Sequence, residues 1–242
     1  MCYETSLTKK LAAIEKHTGA ELLYYGTYEP YYHLSGYTHP NLFCLPIEDP
    51  SHIYPMEWGL FPNKPGIDII DFRKDYNTLN ARGESLLQSK LFKEPAKKRR
   101  CLILADGFFE PHYPNDNFKA KPVPKYCYLE NRKLFCFAGI YNEFDEEYWN
   151  VSLVTTEAND FFEKVHNKKK RMPLVLDPAF EGEWLREDLS DKGILDLVNH
   201  GFIKEEFKSH SVANIYKRDI NTNTAEFLEP LDDNDGEQGK LF

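Results

Sequence analysis

The chain has no long apolar run. Its longest, Phe135 to Tyr141, is far short of the about 20 residues a membrane helix needs, so no membrane span is predicted. Nor is there an export signal: Met1-Cys2-Tyr3-Glu4 lacks a basic n-region, and Ser6 to His17 is too polar for an h-region. Cysteine is scarce and odd in number. Cys2, Cys44, Cys101, Cys127 and Cys136 include no C-x-x-C pair, which argues against a disulfide framework or a thiol zinc site and for a reducing cytoplasm. The phosphate-binding G-x-x-x-x-G-K pattern and G-x-S-x-G are absent, and the eight histidines show no metal-ligand spacing, so neither metal nor cofactor is expected. Net positive charge is also missing. The formal charge is −9, of which the stretch from Glu226 to Phe242 carries −5, and this argues against bulk attraction to nucleic acid.

Aromatic side chains are plentiful: 17 Phe, 15 Tyr and 3 Trp make 14% of the chain, a composition suited to strand-rich cores and to surfaces that stack flat ligands. Basic charge is local. Lys90 to Arg100 holds six cations against Glu94, and Lys164 to Arg171 holds five cations and no acid; each run fits a solvated face or a local groove for a short anionic strand. No internal repeat or Pro/Gly/Ser linker divides the chain. One domain over 1–225 is expected, followed by an acidic, disordered tail over 226–242.

Strand signals come in close series at Leu42–Ile47, Ile53–Gly59, Arg100–Leu104, Gly107–Tyr113, Lys125–Glu130, Leu134–Tyr141 and Tyr148–Thr155, then at Arg171–Leu176 and Glu206–Val212. Asn131-Arg132 reads as a hairpin turn. Helices are predicted near Leu7–Ile14, with Thr5 or Ser6 as N-cap and Gly19 at the end, and over Arg82–Phe92, Glu157–Val165 and Ser190–Val198. The class is α+β, with mainly antiparallel sheet.

Four segments can carry chemistry. Cys2 follows the initiator, and trimming of methionine before a small residue would leave a terminal 1,2-aminothiol. Its amine, with ordinary pKa about 7.7–8.0, is partly neutral at pH 7 and can attack an aldehyde; the adjacent thiol can then close on the imine to form a thiazolidine. Asn80-Ala81-Arg82 sets an amide and a guanidinium at an expected loop-to-helix junction, where Arg82 can hold a phosphate or simply an ion pair. Asp106-Gly107-Phe108-Phe109-Glu110 delivers a carboxylate beside aromatic rings, a setting suited to general acid or base work. His166 precedes the basic run that ends in Arg171-Met172-Pro173, and histidine suits proton traffic near neutrality.

Taken in order, Met1-Cys2, Trp58-Gly59-Leu60 with Pro62, Asn80-Ala81-Arg82 with Glu84, Arg100-Cys101-Leu102, Ala105 to Glu110, Phe137-Ala138-Gly139, Thr155-Thr156 with Ala158-Asn159, and His166 with Arg171-Met172-Pro173 resemble the SRAP family of SOS-response-associated peptidases and abasic-site-processing proteins, from about Cys2 to Val212. The resemblance implies a barrel-like fold with peripheral helices and a protein of the DNA damage response that binds single-stranded DNA and traps an abasic site covalently. It implies that Cys2 supplies amine and thiol, that Glu110 moves protons, and that His166 assists opening of the sugar ring and reversal. Asn80 would orient the Cys2 end and contact DNA, and Arg82 and Arg171 would hold phosphates. Lyase activity and peptidase-like exposure of Cys2 are also implied. The implied partner is abasic single-stranded DNA, with no membrane, no obligatory protein partner and no cofactor, in a bacterial-type cytoplasm at the nucleoid.

The chain departs from the family pattern where Tyr3 and Glu4 replace the frequent Gly and Arg, where Pro111 replaces an aromatic, and where a longer insert separates His166 from Arg171, so that Lys168 to Lys170 could share the phosphate role. Two other readings stay open. One is an N-terminal-nucleophile amidohydrolase or cysteine peptidase with Glu110 or His166 as base; the other is a non-covalent reader of unusual DNA.

Overall fold

The computed structural model describes residues 2–23, 27–64, 66–145, 147–217 and 219–231 of the 242. The elements run β1 (Glu4–Leu7), α1 (Leu11–Thr18), β2 (Glu21–Leu22), β3 (Tyr31–Ser35), β4 (Asn41–Pro46), β5 (His52–Trp58), α2 (Ile69–Asp75), β6 (Asn80–Arg82), α3 (Lys93–Lys98), β7 (Arg100–Ala105), β8 (Gly107–His112), β9 (Val123–Leu129) and β10 (Phe135–Glu143). They continue with β11 (Trp149–Glu157), α4 (Asp160–Val165), β12 (Arg171–Pro173), α5 (Pro178–Trp184), α6 (Asp191–His200) and β13 (Phe207–Ser211). The α+β class and the predominance of antiparallel pairing are as the sequence indicates. No helix among the described residues is long and apolar enough to cross a membrane.

Two sheets form the body. One is antiparallel, in the order β13-β9-β8-β1-β3. In the other, β11, β10, β7, β4 and β5 pair in turn, and β5 pairs back onto β11, closing a five-stranded barrel. Strand alternation sorts the side chains of β7: Cys101, Ile103 and Ala105 join the cluster inside the barrel, and Leu102 and Leu104 join the cluster under the helices. The inner cluster continues into the space beneath the five-stranded sheet, where Phe108, Phe135, Phe137, Phe162 and Phe207 pack ring to ring. Cys2 belongs to this cluster.

Four local expectations are corrected. Thr5 and Ser6 lie in β1 between β8 and β3, and their hydroxyls bond to Gly107 O and Asp106, so neither caps a helix. Helix α1 starts at Leu11 behind Lys10, and Gly19 does end it, in the left-handed region. No helix spans Arg82–Phe92; Asn80–Arg82 pairs in parallel with β11 and is followed by a 3-10 turn over Gly83–Ser85. Gly83 allows this route because a Cβ there would lie 2.4 Å from Val198 on α6. Asn131 and Arg132 do turn the chain, with φ of +59° and +49°, but β9 and β10 leave into different sheets instead of forming a hairpin. The folded body also passes the expected boundary at 225: Ala225–Leu228 is a 3-10 turn with Leu228 fully buried. The rest of the expected tail, 232–242, and Met1 lie outside the described residues.

Candidate active site

The chain crosses from barrel to sheet at Asp106, which accepts hydrogen bonds from Ser6 Oγ and the Thr8 amide and so ties β1 to the start of β8. Along β8, Phe108 and Glu110 share the face toward the inner cluster, while Phe109 points to the other side with Tyr126 and Ile215. Glu110 is completely buried. On the neighbouring strand Glu4 is opposite Phe109, which brings the N-terminal residues beside Glu110. The Cys2 side chain is fully buried, with Sγ 3.5 Å from Glu4 O. Burial first, and then the Glu110 charge, push its thiol well above the ordinary range, so the resting group is a neutral thiol.

His166 reaches the same place from the barrel. Asn159 caps α4 by accepting from the Phe162 amide, and His166 ends the helix with its own amide on Phe162 O. Lys170, at φ +48°, turns the chain back so that Arg171 pairs with Glu157. This fold-back absorbs the longer insert and returns Arg171 O to 3.1 Å from His166 Nδ1. The same Nδ1 is 3.0 Å from Glu110 Oε2. His166 Nδ1 thus faces two oxygen acceptors, the Arg171 carbonyl and the Glu110 carboxylate. Cys2, Glu110 and His166 are thus brought together.

Asn80 and Arg82 arrive on β6, aligned with Leu153 and Thr155 of β11. Two residues apart on a strand, they share one face, which the expected loop-to-helix junction did not anticipate. Trp58 fixes the approach by donating its indole N–H to Leu79 O at 2.8 Å. Asn80 is buried, and neither polar atom of its amide has a hydrogen-bond partner among the described residues. Arg82 is exposed. Arg171 is held differently: Nη1 donates to Glu84 Oε1 at 2.8 Å, and Nη2 donates to Thr155 O and Oγ1 at 2.9 and 3.0 Å. Burial opposes ionisation of Glu84, but the Arg171 hydrogen bond and charge outweigh it and hold the carboxyl below the usual range.

The sequence named Glu84 without revealing it as the Arg171 partner. Its place directly after a short strand was the available signal. Glu4, which stands where a cation is frequent, is buried with Oε2 2.8 Å from His33 Nε2 and Oε1 accepting from Ser35 Oγ. Tyr3 and Tyr37, with ring centroids 5.0 Å apart, flank the site. Burial and the Tyr37 and Glu110 neighbours push the Tyr3 phenol up to about 12. A cavity of about 950 Å³ between Pro62, Phe72, Tyr76 and Arg99 includes none of these residues. Among the described residues no cluster of three His, Cys, Asp or Glu side chains could hold a metal.

Known proteins share this arrangement of sequence and fold. "Abasic site processing protein YoqW" of Bacillus subtilis is 28% identical over 222 residues, 89% of this chain and 93% of its own length. YedK of Escherichia coli, bearing the same description, is 26% identical over 74% of this chain and 76% of its own. A crystal structure of a protein from Bacteroides thetaiotaomicron superposes with a TM-score of 0.81 at 25% identity, covering 95% of this chain and all of that one. The family described as SOS response associated peptidase (SRAP) matches residues 1–217. With nine-tenths of its length matched, the chain belongs to the SRAP family.

Proposed function

We propose that this protein processes abasic sites in single-stranded DNA by forming a covalent bond between Cys2 and the open-chain sugar aldehyde. The observation that carries the reading is the buried Glu110–His166 pair, 3.0 Å apart, set against the Cys2 end of β1. Removal of Met1 frees the amine. Its nitrogen attacks the aldehyde carbon, Glu110 takes the proton that the nitrogen gives up, and the carbinolamine loses water as Glu110 delivers that proton to the leaving oxygen. The Cys2 sulfur then adds to the imine carbon, and the thiol proton passes to the nitrogen. The balance is aldehyde plus aminothiol giving thiazolidine plus water.

His166 takes the proton of the closed sugar's hydroxyl as the ring opens and returns it on reversal. The unpartnered Asn80 amide supports a role in orienting the Cys2 end and the sugar, because a buried amide gains most from a ligand that supplies its missing bonds. Arg82 holds a flanking phosphate, and Arg171, anchored by Glu84, backs the same groove with its Nε. The neutral resting thiol argues against a thiolate peptidase as the main activity.

The test is incubation of the Met-processed protein with uracil-containing single-stranded DNA pretreated with a glycosylase. A denaturation-resistant shifted band is expected from the wild type. Cys2→Ser should give only an imine that borohydride must trap, and Glu110→Gln should slow adduct formation far more than it weakens binding. Turnover of amide substrates with no band would overturn the reading.

A further inference from the structure

On the reacting face of the five-stranded sheet, Glu110 has a cation beside it. Lys125 of β9 is opposite Glu110 of β8, and Ser211 of β13 is opposite Lys125. Opposed residues of paired strands share a face. Cys127 and Leu129, two and four residues along from Lys125, belong to the inner cluster with Cys2 and Phe108, as does Phe207 opposite Leu129. Tyr126 and Tyr128, between them, pack on the other side with Phe109. Adjacent strands lie about 4.8 Å apart, so the Lys125 side chain starts beside Glu110, on the flank away from β1 and Cys2.

The strand is held there on both sides, by the β8 ladder and by β13, after which the Val212 amide donates to Pro124 O at 3.0 Å. Lys125 is half-buried, and its ammonium forms no ion pair among the described residues. Burial first, and then the Glu110 charge, raise the Cys127 thiol, and the Lys125 charge opposes them. Lys208, by contrast, alternates to the other face of β13, where it is exposed and paired with Glu130. Lys125 is the one lysine or arginine on β1, β8 and β9. Glu4 of β1 is opposite Phe109, on the other face, with His33 and Ser35 at its oxygens. A phosphate drawn in beside the Glu110 carboxylate meets like charge, and a cation on that flank offsets the repulsion.

We propose that Lys125 is a further substrate-binding residue, whose ammonium holds the phosphate next to the captured sugar on the flank of Glu110 away from β1. The inference rests on the abasic-site reading above. A lysine is a point charge on a flexible stem, so the contact adds affinity for the DNA backbone and no base preference.

The experiment uses full-length, Met-processed protein and glycosylase-treated single-stranded DNA, with adduct formation followed against DNA concentration at several salt concentrations. Lys125→Gln should need about fivefold more DNA for half-maximal crosslinking and lower the slope of log K against log salt by about one. Its maximal rate should change less than twofold. Lys125→Arg should keep the wild-type slope, and Lys208→Gln should match wild type throughout. A methylphosphonate in place of one of the two phosphates flanking the lesion should weaken wild type by the same factor and weaken Lys125→Gln no further. If wild type forms an adduct and Lys125→Gln matches it in half-saturation and slope, the inference falls alone. It also falls if Lys125→Gln loses maximal rate with the slope unchanged, because the lysine then acts on Glu110 and not on DNA, or if its loss adds to that of either methylphosphonate. If wild type forms no adduct, the abasic-site reading falls and this inference with it.

Discussion

The Asn80 amide offers a test in which stability and function move in opposite directions. Its Nδ2 and Oδ1 are both buried and unpartnered among the described residues, and an unsatisfied buried amide costs about 1–3 kcal/mol. Asn80→Ala removes that cost and loses only a few packing atoms, so a gain of about 1 kcal/mol is expected, or about 2–4 °C in Tm for a domain of this size. Asn142 supplies the contrast. Its Nδ2 donates to Phe61 O at 2.8 Å, and its Oδ1 accepts from Arg99 Nε and Nη2 at 3.2 and 3.0 Å. Asn142→Ala should therefore lose about 1–3 kcal/mol. Thermal unfolding of the DNA-free proteins at pH 7 reads both, and the adduct assay should show Asn80→Ala impaired. Such an exchange of stability for activity is expected where a polar group waits for its ligand. Equal losses of Tm for the two variants would refute the idea that Asn80 is kept open for substrate.

The two arginines should separate in the same assays. Arg82→Ala should leave Tm within a degree or two while weakening DNA binding and lowering the slope of log K against log salt by about one; Arg171→Ala should lose about 2 kcal/mol of folding stability, because Glu84 and Thr155 lose their donor. The Glu84 carboxyl, held below its ordinary range, contributes stability above the unfolded value of about 4.3 that disappears as pH falls through the lower folded value. Unfolding between pH 6 and pH 3 should thus show a steep acid limb that Arg171→Ala flattens. Burial and the Glu110 charge both raise the Cys2 thiol, so iodoacetamide should label Cys2 slowly at pH 8 and faster in Glu110→Gln; slower labelling in that variant would contradict the charge assignment.

Legibility from sequence followed the range of the forces involved. Strand alternation is local, so the barrel strands and β8 were readable from their residues, and Gly19 marked the end of α1. Pairing partners are not local. The Asn131-Arg132 turn has the backbone that a tight hairpin uses, yet nothing within those residues says that β9 and β10 enter different sheets. Thr5 and Ser6 looked like helix caps because hydroxyls satisfy exposed amides; here Gly107 O and Asp106, about a hundred residues away, compete for them and win. Cys2, Glu110 and His166 were named from chemistry and motif order, and their meeting depends on the Asp106 crossover and the Lys170 turn.

An acidic protein with the proposed DNA substrate needs its cations placed, and the two basic runs differ in how theirs are held. In the first, Lys97 pairs with Asp191, Lys98 with Glu94, Arg99 bonds Asn142, and Arg100 is buried with its guanidinium on the carbonyls of Ala96, Lys97, Trp184 and Arg186. In that run Arg99 and Arg100 are structural. In the second, Lys170 meets only an exposed acid, Glu163, and Lys168 lies over the Tyr113 ring. Lys164 and Lys170 line a cleft of about 460 Å³ with His112, Phe118 and Asn167, together with the acids Asp116 and Glu163. Glu4 adds no exposed negative charge to oppose a phosphate there, since His33 and Ser35 cover its oxygens. On the proposed function, a phosphate would respond to the cations within about one Debye length of it more than to the net charge of −9. Binding should weaken steeply with salt in Lys168→Ala/Lys170→Ala and hardly change in Lys97→Ala/Lys98→Ala; equal losses from both pairs would mean that overall charge, and not its placement, governs DNA capture.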